Sequence, residues 1–193
     1  MAESVLIVNG ATRVNGNTDI IIRKIIEGAK KADLNPTLIK LRNKNVSNCI
    51  GCYKCIREPE CNFQDDMTEI RNQINSAELM ILASPLYWCG VTGLMKIFLD
   101  RLFFYYHSQN RELIAGKKAI IITSMNQKNV DDESKILVEF YNRLLGCLGV
   151  KILNMSFFSG IMEKGTVLKK PEYLKQAYAI GTNLKDLLKK EVD

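Results

Sequence analysis

Residues 5–31 read VLIVN GATRVNGN TDIIIRKIIEGAKK, an apolar run followed by a Gly- and Asn-containing loop and an amphipathic stretch. The run of Val and Ile predicts a strand from Val5 to Asn9, and the helical spacing that follows predicts a helix from Thr18 to Lys31. The strand is apolar at nearly every position, which is typical of a strand covered on both faces. The stretch therefore predicts the first β-α unit of a parallel sheet.

The same alternation continues along the whole chain. The further predicted strands are Thr37 to Leu41, Leu79 to Ala83, Ala119 to Thr123 and Lys151 to Met155. The further predicted helices are Met67 to Ser76, Gly93 to Tyr105, Asp132 to Leu148 and Pro171 to Lys190. This order predicts an α/β fold, a three-layer sandwich with a five-stranded parallel sheet. We expect one domain over residues 1–193, with a cysteine-rich loop at about 43–66.

The composition narrows the class of protein. The chain has 193 residues, of which 47% are hydrophobic and 25% are charged, as in ordinary globular domains. A net charge of +6 comes without a basic stripe interleaved with aromatic residues, so we expect no nucleic-acid partner. No apolar run approaches the roughly 18 residues of a membrane span, and the first residues do not resemble a secretory signal. These features predict a cytoplasmic protein without a membrane partner. In that compartment we do not expect the six cysteines to form structural disulfides, and a cluster of them suits metal binding or redox chemistry.

The loop between the first strand and the first helix has the chemistry of an anion site. Backbone N–H groups and the positive end of a helix dipole favour a phosphate at a helix N-terminus. The loop lacks the Gly-Lys-Ser/Thr ending of nucleotide triphosphatases and the GxGxxG of dinucleotide sites. The alternative is a plain turn in which Asn17 or Thr18 only caps the helix. Arg13 favours the anion site, because capping does not explain a cation in the loop.

A second loop, after the third strand, suits a flat ring. It reads SPLYWCGVTG over residues 84–93, with Pro85 ending the strand and Tyr87 and Trp88 followed by two glycines. Aromatic side chains and exposed backbone N–H groups can line a planar heterocycle. The alternative is that Tyr87 and Trp88 are core or interface aromatics.

Four cysteines form a compact motif, CxxCxxC with a fourth cysteine after five more residues. They are Cys49, Cys52, Cys55 and Cys61. Two-residue spacers suit three corners of an iron–sulfur cubane, with the later cysteine as the fourth ligand. A structural zinc site is the first alternative, although zinc more often uses two separated CxxC pairs. The second alternative is that the motif binds no metal.

These three segments together resemble a known family, the NADPH-dependent FMN reductase and iron–sulfur flavoprotein group. The first loop is similar to that group's Gly-Ser-x-Arg-x-x-Gly-Asn-Thr phosphate loop, with Ala11 in place of the serine. Residues 84–101 are similar to its Ser-Pro-x-Tyr-Trp segment, which continues to an Asp-Arg pair. The cysteine spacing is similar to the group's compact motif, and the resemblance spans nearly the whole chain.

The resemblance implies a flavodoxin-like fold, an FMN cofactor and a set of site residues. The FMN phosphate contacts it implies are Thr12, Arg13, Asn15, Asn17 and Thr18. The flavin contacts it implies are Pro85, Leu86, Tyr87 and Trp88. It also implies that the four motif cysteines could hold a [4Fe–4S] cluster beside the FMN.

The function implied by the resemblance is an FMN-dependent oxidoreductase. The flavin would take a hydride from NAD(P)H, or electrons from a ferredoxin-like donor through the cluster, and pass them to an acceptor, without acid–base catalysis by a side chain. A homodimer, or a dimer of dimers, is implied as well. Two other functions remain open from the residues: a non-enzymatic electron carrier like a flavodoxin, and a zinc-stabilised binding module.

Overall fold

The five strands form a single parallel sheet in the computed structural model, which describes residues 4–189. The strands are β1 (Val5–Asn9), β2 (Thr37–Lys40), β3 (Leu79–Pro85), β4 (Lys118–Ser124) and β5 (Lys151–Phe158). Their order in the sheet is β2-β1-β3-β4-β5, and all four pairings are parallel. This confirms the predicted flavodoxin-like α/β architecture. Across residues 4–189, no helix is both long enough and apolar enough to span a bilayer.

Eight α-helices connect or flank the strands within the described residues. They are α1 (Asn17–Lys31), α2 (Lys54–Arg57), α3 (Met67–Ser76), α4 (Gly93–Arg101), α5 (Ser108–Arg111), α6 (Val130–Cys147), α7 (Pro171–Thr182) and α8 (Leu184–Lys189). Short 3-10 segments cover Leu41–Asn43, Leu102–Tyr105 and Thr166–Lys169. All five predicted helices therefore exist, the last of them divided into α7 and α8, and α2 and α5 are additional.

Several predicted boundaries were wrong. The predicted helix from Pro171 to Lys190 is interrupted at Asn183, where Gly, Thr and Asn are consecutive poor helix formers, and Lys190 lies outside the described residues. The helix predicted to reach Tyr105 ends at Arg101 and continues as a 3-10 turn. Strand β2 stops at Lys40, one residue short of its predicted end, because Leu41 begins a 3-10 turn.

Three strands run further than predicted, and β4 covers Lys118–Ser124 instead of Ala119 to Thr123. Strand β3 continues past Ala83 to Pro85, which lies opposite Ser124 of β4 and ends the strand, as the sequence indicates. Strand β5 continues past Met155 to Phe158, because β4 offers partners as far as Ser124. The register between β4 and β5 shifts at Ala119/Ile120, which interrupts the regular alternation of side chains along β5.

Each face of the sheet carries its own hydrophobic cluster, and successive side chains of a central strand belong to opposite clusters. In β1, Leu6 and Val8 pack against α3, α4 and α6, whereas Val5 and Ile7 pack against α1 and α7. The same alternation holds in β3 and β4. Helices on both faces of the sheet thus explain why these strands are apolar at consecutive positions.

Two glycines let α1 and α7 approach backbone to backbone. A Cβ at Gly28 would overlap the carbonyl oxygen of Tyr178, and a Cβ at Gly181 would overlap that of Ile25. Backbone atoms cannot move aside as the end of a flexible side chain can. This contact fixes α1, and with it the loop that precedes α1, against the sheet.

We predict that Gly28→Ala lowers the free energy of unfolding by about 1–3 kcal/mol, because the added methyl group forces the helices apart. Gly146→Ala in α6 is the matched control, since nothing lies within 4 Å of its added Cβ. That control should gain about 0.5–1 kcal/mol from helix propensity. Urea unfolding of both variants measures the difference, and equal stabilisation of the two would contradict the close helix contact.

Candidate functional site

A cleft opens at the carboxyl edge of the sheet, where the loops after β1, β3 and β4 meet. Seven of the nine residues that the sequence assigns to FMN line it: Thr12, Arg13, Asn17, Thr18, Pro85, Leu86 and Tyr87. Parallel strands end at the same edge of a sheet, so segments that are some 70 residues apart in the chain become neighbours there. The cleft has a polar end at the first loop and an apolar end at the second.

The structure places the other two residues outside the cleft lining. Asn15 has a left-handed backbone (φ 54°), and its side-chain oxygen accepts a hydrogen bond from Arg23 at 3.0 Å. Trp88 is fully exposed, and it forms with Cys89 the two-residue tip of a hairpin. Tyr87 and Gly90 close the hairpin with two backbone hydrogen bonds of 2.9 Å, which leave Trp88 and Cys89 at positive φ. The indole therefore stands in solvent beside the cleft.

Further lining residues belong to no motif that the sequence singled out. Ser124, Met125 and Asn126 follow β4, and Ile161 and Met162 follow β5. The segment from Ser124 to Asn129 is recognisable as a functional loop from its place after a strand. Ile161 and Met162 carry no such signal, because they reach the cleft only when the chain after β5 folds back over α1.

Asn17 fastens that returning segment to the start of α1. Its side-chain amide donates to the carbonyl oxygens of Ile161 at 3.1 Å and Glu163 at 2.8 Å. Its side-chain oxygen accepts from the backbone N–H of Val167 at 3.2 Å. Both amide hydrogens are thus used within the protein, so the side chain of Asn17 shapes one wall of the cleft.

A buried ion pair supports the first loop from below. Asp19, in the first turn of α1, accepts hydrogen bonds from both terminal nitrogens of Arg42 at 3.0 and 2.9 Å. It also accepts from the Asn9 amide at 2.6 Å and from the backbone N–H of Asn15 at 2.7 Å. Burial alone would raise the pKa of Asp19, but these bonds and the Arg42 charge together hold it below its usual value. Asp19 therefore stays ionised and orders the loop.

Thr92 ties the second loop and α4 to the first loop. It caps α4 by accepting from the backbone N–H of Met95 at 3.2 Å, and its hydroxyl donates to the carbonyl oxygen of Gly10 at 2.6 Å. A Cβ at Gly10 would collide with the Cβ of Met95, so only glycine allows this approach. Opposite this contact, the Thr18 and Ser124 hydroxyls lie 2.8 Å apart in the cleft lining.

The four motif cysteines line a second cavity, beside the end of α4. Cys49 and Cys52 are exposed, Cys55 and Cys61 are half-buried, and none forms a disulfide. Gly51 and Tyr53 both have positive φ, which curls the chain around Cys52. Burial raises the pKa of the Cys55 thiol, and the three other cysteines raise it further. Within residues 4–189, no three His, Cys, Asp or Glu side chains are arranged to hold a metal ion as they stand.

Arg101, the last residue of α4, lies in the wall of this cavity and pairs with Asp65. Its two terminal nitrogens lie 2.7 and 3.2 Å from the Asp65 oxygens, and both side chains are almost completely buried. Burial opposes ionisation of both groups, but their mutual hydrogen bonds hold the pKa of Asp65 below its usual value and that of Arg101 above. The pair is a permanent charged link between α4 and the cysteine loop.

Comparison with known proteins identifies the family. The sequence family described as NADPH-dependent FMN reductase matches residues 4–147, about three quarters of the chain. The chain belongs to this family. The match includes both loops of the cleft and all four motif cysteines, and it confirms the recognition made from the sequence, an FMN-dependent oxidoreductase family.

Several relatives of this chain carry the name iron–sulfur flavoprotein. One from Archaeoglobus fulgidus is 27% identical over 177 residues, which cover 91% of this chain and 76% of that protein. One from Methanocaldococcus jannaschii is 33% identical over 94 residues, which span about half the length of each protein (49%). Both similarities agree with the group that the cysteine motif resembles.

Two solved structures with a similar fold have names that describe different activities. An NAD(P)H:quinone oxidoreductase from Methanothermobacter marburgensis superposes with a TM-score of 0.76 at 19% identity, covering 96% of this chain and 98% of that one. The Trp repressor binding protein from Bacillus subtilis superposes with a TM-score of 0.70 at 23% identity, covering 91% and 99%. At such identities the likeness establishes the shared fold of this FMN reductase family member.

We predict that Asp19→Asn lowers the free energy of unfolding at neutral pH by about 3 kcal/mol, because it leaves Arg42 buried without a partner. The folded-state pKa of Asp19 lies below that of the unfolded chain, about 3.9. The ionised carboxylate therefore stabilises the protein above that pH, and the benefit disappears as the pH falls through the folded-state value.

Denaturant unfolding at a series of pH values measures this difference. Glu27→Gln is the control, since Glu27 forms an exposed pair with Lys24 that contributes at most about 1 kcal/mol. A gap between wild type and Asp19→Asn that stayed constant down to pH 3 would contradict the role assigned to the Asp19 charge.

Proposed function

We propose that the cleft binds FMN and that the chain uses it to pass electrons from NAD(P)H, or from a ferredoxin-like donor, to an acceptor. The observation that carries the proposal is the meeting of two loops at one cleft. One loop has the chemistry of a phosphate site and the other that of a ring site. Family membership supports the same cofactor, and the family's name supports a nicotinamide donor.

The polar end of the cleft suits the phosphate. Thr12 and Arg13 are exposed at the loop, and the Arg13 guanidinium donates to the carbonyl oxygen of Met162 at 3.0 Å, which leaves further N–H groups for an anion. The Thr18 hydroxyl and the N-terminus of α1 add donors and a positive dipole. In this proposal, Asn15 and Asn17 serve the phosphate through the shape of the loop, with Asn17 as a brace.

The apolar end suits the ring. Pro85, Leu86 and Tyr87 form one wall, and Ile161 and Met162 belong to the segment that Asn17 holds in place. Bound FMN would supply the site that accepts a hydride or single electrons. Trp88 stays in the proposed set of flavin contacts as the side chain at the open edge of the ring. Apolar walls keep water from the reacting face and hold the ring in one orientation.

The ionisable side chains in the described lining of the cleft are Arg13 and Tyr87. Among residues 4–189, the cleft lining contains no carboxylate and no imidazole. The charged group that lines it is Arg13, which suits binding of an anion rather than proton transfer. This composition supports redox chemistry on the cofactor, with the protein acting by placement.

We predict that Thr12→Ala with Arg13→Ala weakens FMN binding about 10- to 100-fold, because hydrogen bonds to a charged group contribute about 1.5–3 kcal/mol. Quenching of FMN fluorescence on titration with apoprotein measures the dissociation constant. Arg143→Ala is the control, since that arginine is exposed on α6. Unchanged affinity in the double variant would contradict the phosphate assignment.

Steady-state assays then test the reaction. Wild-type protein with FMN should oxidise NADH or NADPH with a quinone or ferric acceptor, and the double variant should recover rate at higher FMN concentration. Stable FMN binding without turnover would favour the electron-carrier alternative. Absence of any FMN binding would reject the flavoprotein proposal.

We also propose that the cysteine motif holds a [4Fe–4S] cluster. Four thiols around one cavity are a suitable donor set, and the names of several relatives support it. The thiols of the cysteine loop must turn inward to do so, since no three described ligands are yet arranged around a metal position.

We predict about four iron and four acid-labile sulfide per chain in protein purified or reconstituted anaerobically. Cys61→Ser should reduce both, whereas Cys147→Ser, which removes an exposed thiol outside the motif, should leave both unchanged. Elemental analysis and visible absorption measure the outcome. Zinc without sulfide would identify a zinc site, and absence of any metal would leave a plain flavin reductase.

A homodimer or dimer of dimers is proposed from the family resemblance. The exposed surface of α6 supports it, because Ile136 is 64% exposed beside a groove that also includes Val138 and Phe157. Apolar side chains grouped in this way are typical of surfaces that other chains cover.

A further inference from the structure

The buried side chain of Arg101 uses all but one of its hydrogen-bond donors. One terminal nitrogen, Nη1, donates to Asp65 at 2.7 Å and to the carbonyl oxygen of Ser47 at 2.8 Å. The other, Nη2, donates to Asp65 at 3.2 Å and to the sulfur of Cys61 at 3.4 Å. The remaining donor, Nε–H, is buried and has no partner among the described residues.

An unused donor on a buried cation is costly. Burying a polar group without a partner costs folding free energy, and the cost is greater for a charged group, so the donor calls for an acceptor. The Arg101 guanidinium carbon lies over the ring of Phe63, 5.0 Å from its centroid, and an aromatic ring is a much weaker hydrogen-bond acceptor than an oxygen or an anionic sulfur. The aromatic contact therefore does not replace the missing acceptor.

The cavity that Arg101 lines contains all four motif cysteines. Cys61 already accepts from Nη2, so the guanidinium reaches the ligand set directly. An anionic group held by these cysteines would bring acceptors to the wall where a donor is unused. Cluster sulfurs are acceptors of this kind, and hydrogen bonds to them tune the cluster.

We propose that Arg101 is a positioning residue of the cysteine site, donating from Nη2 to the Cys61 sulfur and from Nε to the sulfur atoms of the cluster. This inference rests on the proposed cluster, and it identifies Arg101 as a residue that tunes the reduction potential of that cluster. A cationic donor stabilises the more negative, reduced form. Removing it should therefore make the cluster harder to reduce.

Asp65 makes Arg101 rigid enough for this role. Its oxygens hold the guanidinium fork and also accept from the backbone N–H groups of Ser47 at 2.9 Å and Met67 at 3.1 Å. Asp65 thus joins the two ends of the cysteine loop to Arg101. Helix α4 carries this arrangement back to the cleft, because it starts at the Thr92 cap, which is bound to the phosphate loop, and ends about 13 Å away at Arg101.

The test compares Arg101→Lys with wild type. Lysine keeps the positive charge but lacks the paired terminal nitrogens and the Nε–H donor of arginine. The matched control is Arg143→Lys, on the exposed face of α6. The readouts on anaerobically reconstituted protein are iron and sulfide content, bound FMN, and the midpoint potential of the cluster in a redox titration followed by electron paramagnetic resonance.

We expect Arg101→Lys to retain FMN. The equilibrium between oxidised and reduced cluster should shift about tenfold toward the oxidised form, which corresponds to a midpoint potential about 59 mV lower for one electron. The control should match wild type. An Arg101→Lys cluster with wild-type iron content and wild-type potential would overturn the inference. Wild-type protein that binds FMN but takes up no iron would overturn the cluster and this inference together, while leaving the FMN reductase proposal intact.

Asp65→Asn keeps the test decisive if Arg101→Lys does not fold, which loss of bound FMN would reveal. This variant retains every donor of Arg101 but loosens the fork. It should raise the potential, because the Arg101 charge beside the cluster is then no longer compensated by Asp65. An unchanged potential in a folded Asp65→Asn protein with full iron content would count against the inference.

Discussion

Parallel pairing of β1 with β3 is the constraint on which the rest of this molecule depends. It aligns Asn9 with Ala83, and the backbone N–H of Gly10 continues the ladder by donating to the carbonyl oxygen of Ala83 at 2.8 Å. The loops that leave the two strands therefore start side by side. One loop brings polar donors and the other brings Pro85, Leu86 and Tyr87, so a single cleft has one polar and one apolar end.

Two buried ion pairs give the loops their shape. Asp19 with Arg42 lies under the loop after β1, and Asp65 with Arg101 lies at the base of the cysteine loop. Each carboxylate also accepts backbone N–H groups from the loop that it supports. Buried pairs contribute little net stability compared with apolar packing, but a partner left alone is expensive. The two ion pairs instead favour one conformation of each loop over the alternatives.

Helix α4 links the two sites physically. Its first turn is bound through Thr92 to Gly10, and its last residue holds Asp65 and Cys61. A short helix is stiff, so the distance between cleft and cysteine cavity does not depend on the exposed loops. Backbone strain is found at the hairpin tip, at Trp88 and Cys89, and beside Cys52, at Tyr53, where these non-glycine residues have positive φ.

The residues themselves establish the alternation of strands and helices, the two loops that could hold a cofactor and the spacing of the cysteines, because these properties are local. Apolar period, turn residues and donor types are visible within a few positions of the chain. Most strand and helix positions, and the recognition of the family, follow from them. Boundaries at Arg101 and Phe158 do not, since neighbouring strands and packing decide where those elements end.

Only the tertiary structure decided how the side chains are used. Asn17 bonds to residues more than 140 positions away, Asp19 finds Arg42 after 23 residues, and Arg101 finds Asp65 after 36. None of these partners has a fixed spacing, because each contact depends on where the folded chain returns to the sheet. The same holds for the orientation of Trp88, which turn geometry directs into solvent, and for the one donor of Arg101 that remains unused.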